Sequence, residues 1–338
     1  MVHETVLRFG PNNELVGVLT EPETVADGAF SPAREGFPIA VLLNAGVVHR
    51  VGPHRMNVQI ARALANAGYR SLRIDLSGLG DSPIRSDATD AAQRAILDIQ
   101  AAFDKLQEQT AIDRFTVIGL CSGSFHAHQI SLIDQRVCGA VFIDGFAFAT
   151  RQHRWRKLYK KLSIRFLRNA IKRRLLKLTP LESLASSGEG LEQAQFFEGF
   201  TDCHTIAKEI EQMVNKGQRL HLVYTGGHPD ISAAVQFAEM FDVTCDSGQI
   251  SVEYFGNAEH TFPLVQSRKE LSESIVSWYQ GFSALPVLQN CDETGGEESC
   301  MRTDANETSE NTASALGAPC TSPWALPPSP LAIPQNLF

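Results

Sequence analysis

The feature that most constrains the fold of this chain is a sharp predicted turn within the stretch from Phe115 to Gln129. An apolar, β-branched run ends at Leu120 and meets small residues that can start a helix, which predicts a strand, a tight turn and a helix in direct succession. Gly119 and Gly123 lie two residues before and after Cys121, and glycine suits places where backbones approach closely. The pattern predicts a nucleophile elbow with Cys121 at its apex.

Cys121 is a chemically competent nucleophile, because a thiolate paired with a histidine attacks carbonyl carbon well. The alternative interpretation is an inert buried cysteine, which is a common state of free cysteines. Ser122 and Ser124 are rival nucleophiles, but neither has a glycine two residues before or after it. The glycine spacing therefore favours Cys121.

The rest of the chain alternates apolar strands with amphipathic helices. Residues 4–19 predict an antiparallel hairpin, and the continuous apolar run over residues 38–44 is typical of a strand buried on both faces of a parallel sheet. Strands and helices then alternate over residues 71–144 and again over residues 219–282. This order predicts an α/β protein with a mostly parallel sheet flanked by helices.

The alternation breaks over residues 146–215, which we interpret as a helical cap inserted into a core formed by residues 1–145 and 216–283. The cap contains a basic segment, residues 151–177, with twelve Lys and Arg and no acidic residue, although the formal net charge of the chain is −8. Such a segment is a solvated helix face, an attachment to anionic membrane or nucleic acid, or a dock for an acidic partner. Nucleic acid is disfavoured because no recognition motif accompanies the charge.

Composition limits the remaining possibilities. Residues 284–338 are polar and lack apolar periodicity, which predicts a disordered tail. No signal-peptide pattern and no apolar stretch long enough to cross a bilayer are present in the sequence. Seven cysteines without metal-binding spacing indicate reduced thiols. We therefore expect a cytoplasmic protein with no metal site and no cofactor.

With this order of elements, the chain resembles the α/β-hydrolase superfamily over roughly residues 1–283. The resemblance rests on the elbow, on residues 75–82 and 226–230 after two further strands, and on His260 after the last strand. Residues 49–55 look like a loop of the bacterial hydrolases called serine-aminopeptidase-like or exosortase-associated. A cysteine at the elbow is similar to dienelactone-hydrolase-type members.

The resemblance implies a catalytic triad. Cys121 would be the nucleophile, His260 the general base, and Asp230 the acid that orients the imidazole. Asp144, which follows an earlier strand, is the rival acid. Both carboxylates follow strands, so the sequence leaves the choice open while favouring Asp230.

The resemblance also implies an oxyanion hole and a binding loop. Backbone N–H groups of Ser122 and of Gly46 or Val47 would hold the oxyanion. Three residues of the loop beyond them are candidates for binding an anionic substrate group: His49, Arg50 and Arg55. The alternative for Arg50 is a structural pairing with an acidic residue.

These features predict a hydrolase that cleaves an acyl ester or thioester through an acyl-enzyme. The substrate would be a small molecule or a carrier-bound acyl group, with a possible acidic partner at the basic cap. One alternative is an acyltransferase on the same fold. Another is a non-catalytic protein that binds through its cap, since a fold by itself does not determine function.

Overall fold

The apolar runs assemble into one sheet of eight strands in the order β1-β2-β4-β3-β5-β6-β7-β8. The computed structural model describes residues 2–23, 36–85, 87, 90–162, 202–241 and 248–283. The strands are β1 (Val2–Phe9), β2 (Leu15–Pro22), β3 (Ile39–Leu42), β4 (Ser71–Ile74), β5 (Phe115–Leu120), β6 (Val137–Ile143), β7 (Arg219–Thr225) and β8 (Ile250–Phe255). The predicted hairpin is confirmed as the antiparallel pair β1–β2.

The sheet is parallel from β4 onward, and only β2 joins it in antiparallel orientation. Every residue of β3, β4 and β5 is buried, as expected of parallel strands that are covered on both faces. Since the carboxyl ends of parallel strands meet at one edge, the loops after β3, β5, β6, β7 and β8 converge there. This edge is where the sequence predicts the active site.

Helices cover both faces of the sheet. They are α1 (Met56–Asn66), α2 (Ala91–Thr110), α3 (Ser122–Ile133), α4 (Arg151–Leu162), α5 (Cys203–Asn215), α6 (Gln236–Phe241) and α7 (Val265–Tyr279). Apolar side chains of α2, α3, α5 and α6 form one core cluster with the sheet. Side chains of α1 and α7 form a second cluster with it. The predicted α/β class is therefore confirmed.

The predicted cap is described only at its two ends. Helix α4 begins the basic segment, and residues 163–201 lie outside the described residues. Helix α5 packs into the first core cluster through Ile206, Ile210 and Met213. We therefore keep the cap as a proposal for the segment between β6 and α5, and assign α5 to the core.

Two further predictions concern the ends of the chain and the membrane. The predicted disordered tail, residues 284–338, lies outside the described residues. All described residues belong to one compact unit. Among them, no helix combines the length and the apolar character needed to cross a bilayer.

Candidate active site

Cys121 lies at the turn between β5 and α3. Its backbone adopts φ 55° and ψ −116°, a sparsely populated conformation that a residue keeps only when its surroundings enforce it. A Cβ added to Gly119 would lie 2.1 Å from the backbone carbonyl carbon of Gly123, and one added to Gly123 would lie 2.5 Å from the oxygen of Asn44. The two glycines thus allow the close backbone contacts that present Cys121 at the start of α3.

The two neighbouring serines already make structural hydrogen bonds. Ser124 is fully buried, and its hydroxyl lies 2.7 Å from the carbonyl oxygen of Gly119 and 3.0 Å from that of Ile143. The hydroxyl of Ser122 accepts a hydrogen bond from the Gly46 N–H at 2.7 Å. These bonds stabilise the turn, and the thiol of Cys121 stays at its half-buried apex.

His260 follows β8 and lies between Cys121 and Asp144. Its Nδ1 is 2.9 Å from Oδ2 of Asp144, and the thiol of Cys121 is near enough to influence the charge of its ring. Burial lowers the pKa of His260, but the hydrogen bond to Asp144 and the nearby Cys121 thiol outweigh it and raise that pKa to about 10. These two partners favour the protonated imidazole.

Asp144, the first residue after β6, is held firmly by the end of β7. The backbone N–H of Thr225 donates to Oδ1 at 2.7 Å, and its hydroxyl donates to Oδ2 at 2.5 Å. The Asp144 side chain is fully buried, so these bonds and the imidazole replace the water that a carboxylate would otherwise bind. Sequence reasoning missed Thr225, because a threonine that ends a strand carries no distinctive signal.

The carboxylate that hydrogen-bonds His260 in the structure is that of Asp144, and not that of Asp230, which the sequence favours. The backbone N–H of Asp230 donates to Nδ1 of His228 at 3.2 Å, and its carbonyl oxygen accepts from Gln236 at 2.5 Å. The loop after β7 does approach the His260 loop, since a Cβ on Gly227 would lie 2.8 Å from the His260 nitrogen. However, the carboxylate that bonds His260 comes from the end of the neighbouring strand, β6.

The predicted oxyanion donors differ in whether their backbone N–H groups already make a hydrogen bond. The Gly46 N–H is occupied by the hydroxyl of Ser122, which argues against Gly46 as a donor. Within the described part of the chain, the backbone N–H groups of Val47 and Ser122 make no hydrogen bond. Val47 and Ser122 thus remain the candidate pair.

Arg50 braces the loop instead of facing a substrate. Its guanidinium pairs with Asp75 and lies 2.7 Å from Asp81, and its backbone N–H donates to Asp75 at 2.6 Å. These contacts are the pairing with acidic residues that the structural alternative for Arg50 expects. The other two predicted binding residues, His49 and Arg55, are exposed and do not line the cavity beside the elbow.

A cavity of about 440 Å³ lies beside the elbow, within the range of ligand-binding pockets. One end includes Gly46, Val47 and Ser122, the residues around the candidate oxyanion donors. The other walls come from the loop after β4 and from facing positions of α2 and α3. Sequence reasoning missed these walls, because they form only when the helices pack. In the described residues, no three His, Cys, Asp or Glu side chains cluster as a metal site.

Comparison with known proteins agrees with this architecture. Residues 40–180 match the family model of the alpha/beta hydrolase fold, and no curated protein sequence matches the chain. An esterase of Pyrococcus furiosus superposes with a TM-score of 0.52 at 14% identity, covering 83% of this chain and 90% of the esterase. An alpha-beta serine hydrolase homologue from Coxiella burnetii gives a TM-score of 0.48 at 12% identity, covering 81% and 96%. The family match over residues 40–180 and the strand order together show that the chain has the α/β-hydrolase fold.

Proposed function

We propose that this chain hydrolyses an acyl ester or thioester through a covalent acyl-enzyme on Cys121. The observation that carries the proposal is the placement of His260 beside Cys121, with its Nδ1 hydrogen-bonded to the buried carboxylate of Asp144. The three residues follow β5, β8 and β6, so one sheet edge supplies the whole series. The similarity in fold to the Pyrococcus furiosus esterase is consistent with it.

The first half of the reaction uses the protonated imidazole. A protonated histidine stabilises a neighbouring thiolate. The partial positive charge at the N-terminus of α3 stabilises the same thiolate. The thiolate of Cys121 attacks the carbonyl carbon and forms a C–S bond, and the carbonyl π electrons move to oxygen. When the tetrahedral intermediate collapses, His260 gives its proton to the departing alkoxide or thiolate. The products are an alcohol or thiol and a thioester on Cys121.

The second half regenerates the thiol. His260, now neutral, removes a proton from water as the water oxygen attacks the thioester carbonyl. Collapse of this second intermediate breaks the C–S bond, releases the acid and returns the thiolate beside a protonated His260. Asp144 keeps Nδ1 in its N–H form throughout, so the opposite nitrogen is the one that exchanges protons.

Both intermediates carry an oxyanion, which needs fixed hydrogen-bond donors. We assign this role to the backbone N–H groups of Val47 and Ser122. The hydrogen bond between the Gly46 N–H and the Ser122 hydroxyl ties the loop after β3 to the elbow. This bond keeps the two candidate donors on neighbouring, tethered segments.

Hydrolysis assays with matched cysteine variants test the proposal. We expect the chain to release acid from short or long acyl esters or thioesters. Removing a nucleophile removes nearly all rate enhancement, so Cys121→Ala should reduce turnover by at least about a thousandfold. Cys203→Ala, which alters a half-buried cysteine on α5, should behave like the unaltered protein. Full activity of Cys121→Ala would refute the assignment.

A further inference from the structure

The cavity beside the elbow is lined by apolar side chains, by the neutral polar residues Ser77 and His126, and by three charged residues, Asp90, Arg94 and Asp98. Leu76 and Leu79 line it from the loop after β4, and Ala91 and Ala95 line it from one face of α2. Ser77 and His126 also line it. Within the described residues, the Ser77 hydroxyl and Nδ1 of His126 are buried and have no hydrogen-bond partner.

The position of His126 on α3 explains why it faces this cavity. Ser122, Phe125 and His126 are spaced by three and four residues, which places them on one face of a helix, and all three line the cavity. Rotation about the Cβ–Cγ bond of a histidine is broad and two-fold, so either ring edge can turn towards a bound group. Burial lowers the pKa of His126 to about 4, and the ring is therefore neutral at neutral pH.

The charged groups that line the cavity already have partners. Asp98 accepts hydrogen bonds from the Ser77 N–H at 2.6 Å and from Arg85 at 2.9 Å. Asp90 caps α2 through the Gln93 N–H at 3.0 Å, and Arg94 makes contacts of its own. The unsatisfied groups are therefore the two neutral ones, and a buried polar atom without a partner is costly.

The residues that the cavity shares with the candidate oxyanion hole indicate which half of the substrate enters it. Val47 and Ser122 line the cavity, and their N–H groups would hold the carbonyl oxygen of the acyl group. Neither Cys121, which would attack the carbonyl carbon, nor His260, which would protonate the leaving group, is part of the lining. The acyl chain would therefore extend into the cavity, away from the leaving group.

We propose that Ser77 and His126 select an apolar acyl group that carries one neutral oxygen, a hydroxyl or an oxo group, along its chain. This inference rests on the proposed hydrolase function and specifies its substrate class. The apolar walls bind the hydrocarbon, and the two neutral side chains hydrogen-bond the oxygen. An acyl group without that oxygen leaves both polar atoms unsatisfied, which is how buried polar sites reject apolar analogues.

The test compares thioesters of one thiol that differ only in the acyl group: butanoyl, 3-hydroxybutanoyl, 3-oxobutanoyl and succinyl. For the unaltered protein, we expect kcat/KM for a hydroxy or oxo substrate to exceed that for butanoyl by about tenfold or more, the value of one to two neutral hydrogen bonds. His126→Phe and Ser77→Ala should each bring this ratio close to one. His126→Asn, which keeps a neutral polar group, should retain part of the preference.

A control variant and a binding measurement complete the test. His204→Phe alters an exposed histidine on α5 and should leave the ratio unchanged. Calorimetric binding of the same thioesters to Cys121→Ala should show the same order of affinity without turnover. Adding His126→Phe to this variant should abolish the difference in affinity between the thioesters. Binding preference without turnover would reject the hydrolase and keep this inference. Turnover without preference, an unchanged ratio in the variants, or a preference for succinyl would overturn it.

Discussion

At the scale of single residues, the site depends on how a buried carboxylate is held. Asp144 receives two hydrogen bonds from Thr225 and one from His260. Because Thr225 holds both carboxylate oxygens, the carboxylate cannot rotate, and its Oδ2 stays directed at Nδ1 of the imidazole. The carboxylate therefore sets which nitrogen of His260 carries the permanent proton.

Replacing Asp144 should damage catalysis much more than replacing Asp230. In Asp144→Asn, the amide NH₂ would face Nδ1 of His260 and force the proton onto the opposite nitrogen, which could then no longer accept one. The same substitution costs on the order of 10⁴ in turnover in serine proteases. We expect at least about a hundredfold loss for Asp144→Asn and little change for Asp230→Asn in steady-state turnover. A larger loss of turnover for Asp230→Asn than for Asp144→Asn would instead identify Asp230 as the orienting acid.

Residue roles were predicted from the sequence only where local pattern determines them. The elbow is local, because two glycines and Cys121 lie within five residues. The choice between Asp144 and Asp230 is not local, since both follow parallel strands that end at the same edge. The pairing of Arg50 with Asp75 and Asp81 joins two loops and likewise needs the folded sheet.

At the scale of elements, β5, its turn and α3 act as one rigid unit. Because Gly119 and Gly123 lack side chains, the end of β5 and the first turn of α3 can lie in direct backbone contact. The hydroxyl of Ser124 adds hydrogen bonds that join α3 to β5 and β6. Any widening of this contact would move Cys121 away from His260.

A methyl group at Gly119 should therefore destabilise the protein. Its carbon would lie 2.1 Å from the Gly123 backbone, which requires the backbones to separate, and overpacking of this kind costs about 3 kcal/mol or more. We expect Gly119→Ala to lower the free energy of unfolding in urea and to abolish turnover. Gly256→Ala, whose nearest contact is the Tyr254 ring at 3.2 Å, is the matched control. Equal stability of the two variants would contradict the close-contact account.

Most elements were predictable because apolar periodicity is a strong local signal. The apolar runs over residues 115–120 and 219–225 predict two strands, and β5 and β7 have these bounds in the structure. The apolar spacing predicts a helix over residues 87–109, whereas α2 runs from Ala91 to Thr110, because the side chain of Asp90 caps its first turn. Helix α5 packs on the core through Ile206, Ile210 and Met213, and the sequence could not show this because such an apolar face suits a cap helix equally well.

At the scale of the whole molecule, the parallel sheet brings distant residues together. Cys121, Asp144 and His260 are far apart in the sequence, yet each follows a strand of the same sheet. The cavity also depends on the assembled fold, because loops after β3 and β4 meet α2 and α3 there. A sheet edge with a candidate nucleophile and an adjacent cavity is the arrangement that the proposed acyl transfer to water needs.

The central claim is that a covalent acyl group forms on Cys121, and mass spectrometry tests it most directly. The protein is mixed with an activated acyl ester, quenched in acid, and measured intact and after proteolysis. We expect a mass increase of one acyl group, located on the peptide that contains Cys121 and missing in Cys121→Ala. Acylation of Ser122 or Ser124, or hydrolysis by Cys121→Ala at the rate of the unaltered protein, would contradict the claim.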